Sequence, residues 1–186
     1  MKTTIKHTTR TLLRLPLLVA MALMVTNCTE VANIEACWNT SKLDPQLTGI
    51  WKSGDGSICA FVKTDKDYHV GACTNGMEGG IRTFETNGHQ YMVINDLKAS
   101  TVGYDRLRGH DKGGTLLKYA VKGDVLTIYA LDPNDLASAI KAGKVAGEVN
   151  EDGMPNIKEL DAATIKWLGQ AAETVSWNES IYKKQK

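Results

Sequence analysis

The chain has 186 residues, with 22 basic against 21 acidic side chains and four cysteines. Lys2, Lys6, Arg10 and Arg14 precede an apolar run from Leu15 to Val25 with no acidic residue among them, so loss of residues 1–27 leaves 159 residues and takes the net charge from +1 to −3. A mildly acidic chain of that size can build one complete core and lacks the basic footprint of a nucleic-acid binder; the apolar run is shorter than the roughly 20 residues a membrane-crossing helix needs.

The order of basic residues followed by an apolar run predicts a secretion signal over 1–27. It ends in Val25-Thr26-Asn27-Cys28, which resembles the bacterial lipobox, where the cysteine is diacylated and becomes the new N-terminus. That resemblance implies lipidation at Cys28 and attachment to a membrane surface through the acyl chains. Thr29 is not the acidic retention cue of Gram-negative lipoproteins, which implies the outer membrane, facing the periplasm. Asn27 stands where Gly, Ala or Ser is usual, so ordinary signal-peptidase cleavage and a soluble periplasmic protein are the alternative. Residues 28–45 are polar and without period, as expected of a flexible tether.

From residue 46 to 176 the pattern becomes short apolar segments between turn residues, the signature of an antiparallel β domain. Strands are expected near 47–52, 57–63, 68–73, 80–86, 90–95 and 101–108. Next comes a hairpin, in which residues 115–122 alternate, Gly123-Asp124 form a glycine-first turn, and 125–131 alternate again. With Lys122 opposite Val125, Leu117, Tyr119 and Val121 share a face with Leu126, Ile128 and Ala130, a face that is core or cavity lining. Asp132-Pro133 caps a helix with Leu136, Ala139 and Ile140 on one side. A second helix starts at Asp161 and aligns Ile165, Leu168, Ala172 and Val175 beside Trp167. Both stripes are expected to pack on the sheet. Strands at 144–149 and near Ile157 lie between the helices, and 177–186 reads as a polar C-terminal tail.

Gly49-Ile50-Trp51 resembles the Gly-x-Trp opening of lipocalin-like proteins, and the run from Gly114 to Ala142 and on to Leu168 resembles bacterial lipocalin-like envelope proteins with a helix inserted among late strands. The resemblance implies a mainly β fold, an antiparallel barrel or strongly curved sheet with two short helices, in which the tryptophan plugs the closed end. An α+β arrangement is the alternative. It also implies a barrel able to hold a small apolar or amphiphilic molecule.

The cysteines suit an oxidising compartment. A hairpin centred on Lys66 sets Cys59 opposite Cys73 for a disulfide, whereas a slip of one residue pairs Cys59 with Ala72; lipidation of Cys28 leaves Cys37 as a competing or free thiol. Tyr104, Arg106, Arg108, His110 and Lys112 alternate and would share one strand face. Facing inward near Tyr119, Arg106 and Arg108 suit a carboxylate head group; facing outward they are an ordinary solvated surface. Glu148, Asn150, Asp152, Gly153, Asn156 and Glu159 fall at EF-hand spacing, but Gly143, Gly147 and Pro155 break the flanking pattern, and a turn at Asp152-Gly153 explains the same residues. Neither metal nor cofactor is expected. Catalytic motifs are missing, and His69, His89 and His110 have no ligand spacing, so an enzyme is not expected. Two function classes stand: a barrel binding a small ligand, with Leu117, Tyr119, Ile128, Arg106 and Arg108 as candidate contacts, or an envelope interaction or inhibitor module with a packed core.

Overall fold

The computed structural model describes residues 29–33, 44–64, 69–74, 78–96 and 112–186. In chain order these form β1 (Thr29–Asn33), a single 3-10 turn (Pro45–Leu47), β2 (Gly49–Ser53), β3 (Ile58–Lys63), β4 (His69–Cys73), β5 (Glu78–Thr86), β6 (His89–Asp96), β7 (Lys112–Lys122) and β8 (Val125–Leu131). After them come α1 (Pro133–Lys141), β9 (Gly147–Val149), β10 (Pro155–Ile157), α2 (Ala162–Ala171) and β11 (Trp177–Lys184). Strands β2 to β8 run up and down around a wall, and β11 closes it by pairing with both β8 and β2. The result is a closed antiparallel barrel of eight strands with two helices, as the lipocalin-like pattern implied.

Closure by β11 replaces the polar tail expected over 177–186. Asn178 to Ile181 and Lys183 are exposed. The strand is held by ladders to two neighbours more than by an apolar stripe, so its composition carries little period. The expected tether over 28–45 also contains a strand. β1 pairs antiparallel with residues 112–116 of β7 and parallel with β10, and only Val31 offers it an apolar anchor, too short a pattern to read. The expected strand at 101–108, with Arg106 and Arg108, lies outside the described residues, as do Cys28 and Cys37.

Strand alternation divides the apolar residues into two cores. Inside the barrel are Trp51, Cys59, Phe61, Ile81, Met92, Ile94, Leu117, Tyr119, Leu126 and Ile128. Outside it, Phe84, Tyr91, Val93, Leu116 and Leu131 meet Leu136 and Ala139 of α1 and Trp167, Leu168 and Ala171 of α2. β6 and β7 serve both cores, which is why Tyr91 to Ile94 and Leu116 to Tyr119 contain almost no polar residue. The exception is Lys118. It is buried on the outer face, donates to the Ala172 carbonyl at 2.9 Å, and lies 4.3 Å from the Trp177 ring centroid and 4.7 Å from that of Tyr129. It thereby satisfies a carbonyl at the C-terminus of α2.

Both helices begin as expected. The Asp132 carboxylate accepts from Asn134 N at 2.8 Å, and that of Asp161 from Thr164 N at 2.7 Å. α2 ends at Ala171, so Val175 packs from the turn beyond it. Its docking is made specific by Tyr91 Oη donating to the Leu168 carbonyl at 2.8 Å. The β5–β6 turn adds Asn87, at φ 52°, which donates from Nδ2 to the Gly169 carbonyl at 3.0 Å.

Candidate functional site

The β7–β8 hairpin has the expected register, with Lys122 opposite Val125 and Gly123 at φ +60° in the turn. It therefore turns Leu117, Tyr119, Leu126, Ile128 and Ala130 to the barrel interior. Across the barrel, Cys59 and Cys73 are directly opposite and joined by a disulfide. The interior these strands enclose has two ends, and they differ.

One end is sealed. The turn that follows Asp44 lays a fully buried Leu47 across it, and Trp51 Nε1 donates to the Leu47 carbonyl at 2.8 Å. The Lys184 ammonium lies 5.0 Å from the Trp51 ring centroid. Gly49 sits at φ +141°, and a Cβ there would fall 2.7 Å from Lys184 Cε, so the glycine two residues before the tryptophan lets the lysine stem cross. Tyr119 Oη donates to Asp44 Oδ2 at 2.9 Å. Burial, then the neighbouring Asp44 charge, pushes the Tyr119 phenol well above its ordinary range, so it stays protonated as the donor. No family model matches the chain, and no curated protein or solved structure matches it.

The other end carries smaller side chains. Its inward positions include Thr115, Ala130, Gly79 and Ser180, beside the buried Ile94 opposite Thr115. β11 runs past the end of β2, since only Tyr182 to Lys184 pair with it. Ser180 lies opposite Ile128 and Asn178 opposite Ala130, so both turn inward, yet both are exposed. Solvent therefore reaches the inward-facing side of the upper half of β11. The β2–β3 turn next to this opening holds Asp55, which accepts from the Ser53 hydroxyl and from Ser57 N at 2.9 Å; these hydrogen bonds, the Ser53 one first, hold its carboxyl below the usual range. The half-buried Tyr182 phenol is pushed up by burial and by the Asp55 charge. The described part of the rim is thus polar and acidic over an apolar floor.

The candidate contacts divide between these ends. Leu117 and Ile128 form the floor below the opening, whereas the Tyr119 hydroxyl is engaged at the sealed end. Asn178 and Ser180 were not anticipated, because they fall in a segment that reads as tail. The residues at EF-hand spacing form the β9–β10 hairpin: Asn150 Oδ1 accepts from Met154 N at 2.7 Å, Gly153 has φ +81°, and Glu148 pairs with Lys158 at 2.9 Å.

Proposed function

We propose that this protein is an exported, lipid-anchored, lipocalin-like binding protein that holds a small apolar or amphiphilic molecule in the upper part of its barrel, without catalysis. The observation that carries this is the exposure of the inward-facing Asn178 and Ser180 above an apolar floor. Such a cup suits a ligand whose apolar body rests on Leu117 and Ile128 and whose hydrogen-bonding head meets Asn178, Ser180 and the Asp55 turn. The sealed end, with its saturated hydrogen bonds, gives the cup a fixed base.

Native mass spectrometry and solvent extraction of the mature protein purified from cells test this directly. A bound molecule is expected, and Ala130→Trp, which fills the cup, should abolish it while leaving the circular dichroism spectrum unchanged. Failure to recover any molecule by either method would favour the alternative, an envelope interaction module. Attachment is tested separately, since labelled palmitate should enter the wild type and not Cys28→Ser.

A further inference from the structure

Among the described residues, no helix covers the barrel wall made by β2, β3 and β4. Its outward positions are the ones opposite in parity to Trp51, Cys59 and Phe61: Ile50 and Lys52 on β2, Ile58, Ala60 and Val62 on β3, Val70 and Ala72 on β4. Ile50 is 51% exposed and Val62 60%, unusual values for aliphatic side chains in the middle of strands. The register makes them contiguous. Ile50 is opposite Ala60, which is opposite Ala72; Val62 is opposite Val70; and Lys52 lies between Ile58 on one side and Lys183 of β11 on the other. Ile181, also 51% exposed, adjoins Lys183 on the same face.

The middle of this face contains lysine and no acidic residue; Glu179, next to Ile181 on β11, and Glu78, opposite Ala72 on β5, stand at its margins. Lys52 and Lys183 are directly opposite each other, a like-charge pairing that costs stability by itself, and among the described residues neither makes an ion pair. A row of exposed aliphatics beside uncompensated ammonium groups is complementary to a surface that is both apolar and anionic. We propose that this face docks on anionic lipid bilayers, its aliphatic side chains entering the headgroup boundary and Lys52 and Lys183 meeting lipid phosphates. A second copy of the chain fits less well, because a two-fold contact would bring the same lysines together. A protein partner also fits less well, since such interfaces favour aromatic side chains and arginine and are depleted in lysine, and this face has neither aromatic nor arginine.

The chain from Thr29 onward contains every described element and both cores, and its binding to vesicles can be measured by flotation. Vesicles containing about a third phosphatidylglycerol should bind it at least tenfold more tightly than pure phosphatidylcholine, and salt should weaken the binding. Lys52→Glu with Lys183→Glu, and separately Ile50→Ser with Val62→Ser, should each lower binding tenfold or more. The conservative pair Lys52→Arg with Lys183→Arg should retain it, and Lys141→Glu with Lys166→Glu on the helices should leave it unchanged. All substituted positions are at the surface, so loss of fold is readily separated by circular dichroism. Absence of binding to anionic vesicles, or equal binding by all variants, would overturn the proposal. So would a dimer in sedimentation that Ile50→Ser with Val62→Ser dissolves, or an acidic protein captured at this face in place of vesicles.

Discussion

Replacing both bridged cysteines, Cys59→Ala with Cys73→Ala, should destabilise the barrel by an amount the topology sets. The bridge closes a loop with a sequence separation of 14, and the residues it joins are already opposite in the β3–β4 ladder. Cross-linking a loop of that length removes about 3 kcal/mol of chain entropy from the unfolded state. For a chain of this size, about 2–4 °C of melting temperature accompanies each kcal/mol, so a drop of roughly 6–12 °C is expected. Alanine is the right replacement, because Cys59 is 1% exposed and a serine hydroxyl there would be buried in an apolar cluster. Thermal and urea unfolding should be compared for the oxidised protein, the reduced protein and the double variant. The last two should coincide, with a steeper urea dependence than the first as the uncrosslinked chain exposes more surface on unfolding. Equal midpoints for all three would refute the reasoning, as would the same drop on Cys37→Ala alone.

Two further substitutions separate structural from ligand-binding roles. Tyr119→Phe should cost about 1 kcal/mol in urea unfolding through loss of the bond to Asp44, and should leave the amount of ligand released on extraction unchanged; a reduced yield of ligand would place the hydroxyl at the binding site instead. Lys118 gives a pH signature. Burial lowers its pKa, with Glu173 partly opposing, so between that lowered value and about 10.4 the unfolded chain holds more protons and stability rises with pH. Wild type should therefore gain on Lys118→Met as pH climbs from that lowered value toward about 10.4, and parallel stability curves would contradict this.

What was legible in the sequence is what local chemistry determines. The β7–β8 register follows from a glycine-first turn between alternating runs, the helix starts from Asp132 and Asp161, and the Cys59–Cys73 bridge from symmetry about Lys66. Long-range pairing left weaker traces. Thr29 and Val31 are buried only because β7 extends beyond its contact with β8 and β10 arrives alongside, and neither condition is visible within five residues. β11 looks like tail because the barrel gives it a wet rim and an uncovered outer side. Tyr119 looks like a cavity residue because its partner, Asp44, is 75 positions away. The opening beside Asn178 and Ser180 arises from a mismatch in length between β11 and β2, a property of neither strand alone.

The placement of β1 has a mechanical consequence. Thr29 is 4% exposed and in register with Leu116, so the first residue of β1 is fixed to the β7 wall. An attachment at that point would act as a bracket, transmitting the orientation of whatever it is fastened to directly into the barrel. β7 and β3 are four strands apart by either route around the ring, which sets them on opposite walls. Load entering at Thr29 must therefore cross half the ring of ladders before it reaches Val62 on the uncovered face of β3.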